Sequence, residues 1–101
     1  MSEELSDQSQ LIVSICNKFE IDSETVSLEN LKEILNLKVV YLLTYEMEKL
    51  LQLFYRLDLN EKKVKEIFAQ SSAHKIAPAL VDLILERELE KIETRKKYNQ
   101  K

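Results

Sequence analysis

Two residues in the second half of the chain have the spacing of a nucleophilic site. Ser72 and Lys75 match the pattern S-x-x-K, in which a lysine amine can activate a serine hydroxyl. A helix would place both side chains on one face. The chain contains no glycine, however, so it has no glycine-rich segment to form an oxyanion hole, and the companion motifs are absent. We therefore predict that Ser72 caps a helix, that Lys75 is solvated, and that the protein is not an enzyme.

Metal and cofactor chemistry has few candidate residues. The chain has one histidine, His74, and one cysteine, Cys16, whereas a standard zinc site takes four ligands of these kinds. A di-iron bundle needs a glutamate three residues before each histidine, and Ser71 occupies that position. Cys16 falls on an apolar stripe, where a thiol behaves as a small buried hydrophobe. We expect no metal, no cofactor and no small-molecule substrate.

Two basic clusters could contact nucleic acid. They lie between Lys62 and Lys65 and between Arg95 and Tyr98. The net charge is −3, whereas proteins that neutralise phosphates are usually more basic, and residues 1–30 hold seven acidic residues against one lysine. The last helical segment also carries acidic residues that would repel phosphates, namely Asp82, Glu86, Glu88, Glu90 and Glu93. A nucleic-acid accessory role for the basic C-terminal tail is therefore the alternative hypothesis only.

The sequence shows no membrane or export signal. Its N-terminal residues are acidic, which is the opposite of the basic start of a signal peptide. Within the most apolar region the longest uncharged run is Val39 to Tyr45, far short of the ~20 residues that span a bilayer. A lone cysteine cannot form an intramolecular disulfide. These features predict a cytoplasmic protein.

The composition favours helix throughout, because leucine, glutamate and lysine are abundant, glycine is absent and only one proline occurs. We predict one all-α domain over residues 1–101, a compact bundle of four to five helices around a long central helix. The acidic end, 1–6, and the basic tail, 98–101, are expected to be loose. The first helix is predicted over Asp7–Phe19 with Ser6 as N-cap. Its apolar stripe consists of Leu11, Ile12, Ile15, Cys16 and Phe19.

The central helix is predicted over residues 28–57, with Ser27 as its N-cap. Thirty residues is long for a small domain, so a bend near Asn36 is plausible, although no glycine or proline marks it. Its apolar arc is wide enough to be covered on more than one side, which predicts the spine of the bundle. This arc contains Val39, Val40, Leu43, Met47, Leu50, Leu51, Phe54 and Leu57. The side chains expected to be among the most buried are Leu43, Leu50 and Phe54.

Two further helices follow the short segment at Asp58. Asn60 is predicted to cap a helix over Glu61–Gln70, and the last helix is predicted over about Lys75–Tyr98. Pro78 is tolerated if it lies in the first turn, where its missing N–H has no intrahelical partner. If the helix begins at Ala73 instead, Pro78 removes an internal hydrogen bond.

Two surfaces are candidates for association. Tyrosine and arginine are favoured in binding hot spots, and a strip on the outer side of the central helix contains Tyr41, Tyr45, Lys49 and Arg56. A narrow apolar seam on the last helix contains Leu85, Leu89 and Ile92. The seam packs either on the first helix or on a second subunit. The leading hypothesis is a non-enzymatic helical module that associates with another protein or with itself as a homodimer.

Two stretches carry a family resemblance, namely residues 53–58 (LFYRLD) followed by Glu61, and residues 83–87 (LILER). Together they resemble a group of small, all-helical, uncharacterised bacterial proteins. The resemblance covers roughly residues 38 to 97. It implies a helical fold and a bacterial cytoplasmic source, and it implies no activity.

Overall fold

A computed structural model describes residues 7–99 and confirms the all-α class. The chain forms five α-helices over this range: α1 (Asp7–Phe19), α2 (Leu31–Tyr45), α3 (Met47–Leu57), α4 (Glu61–Gln70) and α5 (Ala73–Asn99). A single 3-10 turn, Ser23–Thr25, lies between α1 and α2. The predicted N-cap Ser6 and the predicted loose end 1–6 lie outside the described residues. Tyr98 and Asn99, placed in the tail by the sequence, belong to α5.

The spine of the bundle is α5, which contacts all four other helices. The prediction that a helix over 28–57 forms the spine is wrong, because α2 begins only at Leu31 and the segment divides at Glu46. At Glu46 the backbone leaves the helical region, with φ −140° and ψ 58°. Each half then packs on α5 separately. The buried residues of α5 are Ala77, Leu80, Val81, Ile84, Glu88 and Ile92.

The break at Glu46 costs few hydrogen bonds, which is why it needs neither glycine nor proline. The Glu46 N–H donates to the Leu42 carbonyl at 2.9 Å, and the Leu50 N–H donates to the Glu46 carbonyl at 3.1 Å. Asn36, where a bend was considered, lies inside α2.

The buried arc of α2 and α3 is rotated from the predicted one. Leu50 and Phe54 are buried as predicted, but Leu43 is only partly buried. Leu42 and Leu53, which lie outside the predicted arc, are buried instead, and both helices contact α5. Three residues of the predicted arc are exposed instead: Val40, Met47 and Leu51.

Helix ends follow local capping chemistry where it is strong. Asn60 accepts a hydrogen bond from the Lys63 N–H at 3.1 Å, and α4 has the predicted bounds. Ser27 instead exchanges hydrogen bonds with Asn30: its N–H donates to Asn30 Oδ1 at 2.7 Å, and its hydroxyl accepts from the Asn30 N–H at 3.4 Å. This reciprocal pair forms a turn, so α2 starts three residues later than predicted.

The last helix begins at Ala73, before Pro78, which makes proline its sixth residue. The Lys75 N–H donates to the Ser72 carbonyl at 2.8 Å and so fixes this start. Because Pro78 has no N–H, the His74 carbonyl lacks its usual partner four residues later. The pyrrolidine ring of Pro78 is exposed, and the helix continues past it to Asn99.

Two helices lie on different parts of α5. Along its C-terminal half, α1 runs antiparallel, since Asp7 is 3.3 Å from the Lys96 ammonium and Lys18 is 3.0 Å from the Glu88 carboxylate. Near the N-terminal half, Lys32 of α2 is 3.0 Å from Asp82. In the part of the chain that is described, no helix is long and apolar enough to cross a bilayer.

Candidate interaction surfaces

An apolar groove with a volume of about 860 Å³ lies between α3 and α4. One wall is the row Met47, Leu51 and Tyr55, spaced four residues apart on α3. The other wall contains Val64 and Phe68 of α4, both partly buried. Tyr55 is 90% exposed and Leu51 is 49% exposed, so the first wall faces solvent. We call this surface the α3–α4 groove.

A turn at Asp58 joins the two walls of the groove. Asp58 ends α3 in the left-handed region, with φ 58°. Arg87 of α5 clamps this turn: its Nε donates to the Asp58 carbonyl at 3.2 Å and its guanidinium lies 3.1 Å from the Asp58 carboxylate. Leu59 is buried beneath the turn. Side-chain contacts with α5 therefore hold the turn between the two walls.

A second exposed apolar surface lies on α2. We call it the α2 stripe and define it by Leu37, Val40, Tyr41 and Tyr45. The two tyrosine rings, predicted on the outer strip, are exposed and stand 5.1 Å apart between centroids. The Lys38 ammonium lies 5.8 Å from the centre of the Tyr41 ring, a distance at which a cation is attracted to an aromatic face.

The predicted residues Lys49 and Arg56 lie on the same side as Tyr41. Lys49 contacts the carboxylate of Glu20 at 2.7 Å. This hydrogen bond and the charge of Lys49 lower the pKa of Glu20, with smaller contributions from Lys38 and Arg56. The same hydrogen bond raises the pKa of Lys49. Lys49 is thus paired with Glu20, and the charges of Lys38 and Arg56 act on the same carboxylate.

The predicted seam on α5 is not a free surface. Ile92 has no exposed area and belongs to the same core cluster as Leu11 and Ile15 of α1. Leu85 packs against that cluster, and Leu89 is partly buried. Within one copy of the chain, the seam thus packs into the core that α1 and α5 share.

The structure contains one charged core residue that the sequence reasoning missed. Glu88 is 2% exposed, and its carboxylate accepts a hydrogen bond from the Ser14 hydroxyl. Lys18 donates to both of its oxygens, at 3.0 and 3.1 Å, and the Lys91 ammonium lies 3.3 Å away. A signal was present in the sequence, since Glu88 stands four residues from both Ile84 and Ile92 and so occupies a core position.

The environment of Glu88 keeps its carboxylate charged. Burial raises the pKa of Glu88, because a charge is costly in a poorly solvated place. The hydrogen bonds from Ser14 and Lys18, and the positive charges of Lys18 and Lys91, lower it by more. The net result is a pKa below the ordinary value of a glutamate. Since all four side chains satisfy one another, the cluster joins α1 to α5, and nothing in it points to catalysis.

The remaining candidate residues lie in two places. His74, Ser72 and Lys75 are exposed around the start of α5. Cys16 is buried, and burial, assisted by the charge of Asp22, raises the pKa of its thiol. Within residues 7–99, no three histidine, cysteine, aspartate or glutamate side chains form a group that could hold a metal ion.

The basic clusters are solvent-exposed and separate in sequence. Lys62, Lys63 and Lys65 are exposed on α4. At the far end of α5, Lys96 is paired with Asp7 at 3.3 Å, while Arg95 and Lys97 are exposed. Their charge is diluted by exposed glutamates on the same helices.

Comparisons of this chain with protein-family models, curated proteins and solved structures found no match.

Proposed function

We propose that the protein is a non-catalytic interaction module that binds an amphipathic helix of a protein partner in the α3–α4 groove. A groove of this kind takes the apolar face of a helix, whose anchors recur at i, i+3 or i+4, and i+7. The sequence already predicted that the protein acts by association. The proposal keeps that prediction and assigns it to a surface that the sequence did not single out.

The observation that carries the proposal is the exposed row Met47, Leu51 and Tyr55. A helix rises 1.5 Å per residue, so this row extends over about 12 Å, or roughly two turns. Contiguous exposed apolar surface with a charged border is typical of interaction sites. Here the border contains Glu61 and Lys65 of α4. An occupant with three apolar anchors on one face and charges on the other would match both features.

A direct test uses a synthetic amphipathic peptide of three helical turns, with leucine at i, i+4 and i+7 and with lysine and glutamate elsewhere. Binding is followed by fluorescence anisotropy on dilute protein. We expect saturable binding that Leu51→Asp weakens at least about tenfold, as truncating or charging a central anchor does in other interfaces.

The matched control is Val13→Asp. Val13 of α1 is 43% exposed, a fraction similar to the 49% of Leu51, but Val13 does not line the groove. This variant should bind the peptide like the parent, and a scrambled peptide should not bind. No saturable binding, or equal binding by Leu51→Asp and the parent, would contradict the proposal. Circular dichroism checks that both variants keep their helices.

The alternative function, a nucleic-acid accessory role for the basic C-terminal tail, has weaker support. The acidic residues Glu90 and Glu93 lie on the same stretch of α5 as Arg95 and Lys97. Phosphate contacts would make binding fall steeply with salt. Salt-sensitive retention of an oligonucleotide, lost in Arg95→Ala combined with Lys97→Ala, would favour this alternative.

A bacterial cytoplasmic location is part of the proposal. The buried single thiol of Cys16 is compatible with a reducing compartment. The resemblance to small helical bacterial proteins does not identify the partner, because no activity is attached to that group.

A further inference from the structure

We propose that α1 is a pH-sensitive strap on α5, which opens as a separate unit when Glu88 takes up a proton while α2 to α5 stay folded. The inference concerns the contact between α1 and α5. Neither helix lines the α3–α4 groove, so the inference does not rest on the proposed function.

The contacts of α1 set it apart from the rest of the bundle. Its main contacts are with α5 and with the turn Ser23–Thr25 that follows it, whereas α2, α3 and α4 each pack on α5 without α1. Most of the buried apolar side chains also lie in α2, α3 and α5. A terminal helix held mainly by one neighbour can leave without breaking the other contacts. Such units open locally at a lower free energy than global unfolding.

Glu88 of α5 holds α1 through its charge. Its buried carboxylate accepts hydrogen bonds from the Ser14 hydroxyl and from the Lys18 ammonium, and both donors belong to α1. The other ammonium group that faces this carboxylate within the described chain is Lys91, 3.3 Å away. Lys91 belongs to α5 and remains beside Glu88 when α1 leaves. The contacts that opening breaks are therefore those with Ser14 and Lys18.

Uptake of a proton weakens the closed state selectively. Burial raises the pKa of Glu88, but the hydrogen bonds from Ser14 and Lys18 and the nearby positive charges lower this pKa by more, so it lies below the ordinary glutamate value. Opening removes Ser14 and Lys18, and the pKa returns towards the ordinary value of about 4.3. The open state thus binds the proton more tightly. The contribution of Glu88 to closure is complete above about pH 4.3 and is lost as the pH falls through the closed-state pKa.

Two further carboxylates tie the ends of α1, and both are more exposed than Glu88. Asp7, at its start, lies 3.3 Å from the Lys96 ammonium of α5. Glu20, just after its end, lies 2.7 Å from the Lys49 ammonium of α3. The side chains of Asp7 and Glu20 are 33% and 63% exposed, so solvent screens these pairs. The response of α1 to acid therefore depends mainly on Glu88.

The experiment follows amide hydrogen exchange of the full chain by NMR, residue by residue, at pH 6 and pH 3. The measured quantity is the protection factor, from which the effect of pH on the exchange chemistry is divided out. Ile15 in α1 and Val39 in α2 are matched probes, since both side chains are fully buried. At both pH values we expect Ile15 to be at least about a hundredfold less protected than Val39. Low urea concentrations should lower the protection of Val39 but hardly that of Ile15, because opening α1 exposes little surface.

The role of Glu88 is tested by the pH dependence. Acid should lower the protection of Ile15 at least about tenfold, which corresponds to about 1.4 kcal/mol. Val39 should lose as much, because the proton destabilises the closed state against every state without α1, so the gap between the two probes persists. Glu88→Gln should have the lower protection of Ile15 already at pH 6, with little further change at pH 3. Ser14→Ala, a milder variant that keeps the charge, should show part of both effects, whereas Glu90→Gln, exposed on the same helix, should match the parent.

Three results would overturn the inference. Equal protection of α1 and α2 would mean that α1 leaves only when the whole domain unfolds. Protection of α1 that is the same at pH 6 and pH 3 would remove the switch. A full loss in acid that persists in Glu88→Gln would assign the proton to another carboxylate, and if that variant does not fold, parental behaviour of Ser14→Ala has the same meaning.

Discussion

Replacing Glu88 with glutamine removes the only charge in the core of the described chain and keeps nearly the same shape. Glutamine still accepts a hydrogen bond from Ser14, but its amide nitrogen cannot balance Lys18 and Lys91. Breaking a fully buried ion pair costs about 3–5 kcal/mol. Here the two lysine side chains are 25% and 23% exposed, so their ammonium groups can turn toward water. We therefore expect a loss nearer to ~2 kcal/mol, the range of a hydrogen bond to a charged group.

The assay is urea unfolding followed by circular dichroism, at neutral pH and again near pH 3. The depressed pKa of Glu88 means that its contribution is complete above the ordinary glutamate value of about 4.3 and is lost as the pH falls through the folded-state value. The parent should thus lose stability in acid and approach the variant. At neutral pH, ~2 kcal/mol corresponds to a fall in melting temperature of roughly 10 °C for a domain of this size.

Glu90→Gln is the matched control, because Glu90 lies on the same helix and is exposed. It should change the free energy of unfolding by less than about 0.5 kcal/mol. The reasoning would be refuted if Glu88→Gln were as stable as the parent at neutral pH. A neutral-pH loss that stayed the same size near pH 3 would show that the lost interaction is packing and not charge.

Further perturbations test the core, a helix cap, the cysteine and the absence of a metal. Phe54→Ala should destabilise by ~3 kcal/mol, the low end for a large-to-small core change, because one edge of Phe54 faces the groove; retention of the parental melting temperature would contradict this. Asn60→Ala should cost ~1 kcal/mol by removing the hydrogen bond to Lys63, measured by urea unfolding, with Asn60→Ser retaining most of the stability. The buried Cys16 thiol, whose pKa is raised, should react with a disulfide reagent only in urea, and rapid reaction of the native chain would show that α1 opens readily. Thermal melting should be identical with and without a chelator, and a shift would reveal a metal bound by an unforeseen set of ligands.

Short-range chemistry made part of the fold predictable from the sequence. The bounds of α1 and α4 follow from a one-sided apolar stripe and from the cap at Asn60, and both are as predicted. The break at Glu46 was not predictable in this way. No glycine or proline stands there, and the backbone hydrogen bonds on both sides of Glu46 are kept. Its position is decided by how α2 and α3 pack on α5, which is a property of the whole chain.

The exposure of the candidate interaction residues was likewise predictable only in part. Tyr41 and Tyr45 are exposed, on the outer strip where the helical periodicity of the sequence places them. Leu51 was expected inside because it falls within the predicted apolar arc, but the buried arc is rotated and Leu51 is exposed. Glu88 was expected outside because it is charged, although its spacing from Ile84 and Ile92 placed it in the core. For Glu88, residue type and position disagreed, and position prevailed.

The central place of α5 also has a consequence for biosynthesis. The main contacts between helices that are not consecutive in sequence all involve α5, and the hydrogen bond from Ser14 to Glu88 joins residues 74 positions apart. On the ribosome, α1 to α4 emerge before the helix on which they pack. Their apolar faces therefore stay uncovered until α5 has been synthesised, and the complete core can form only then.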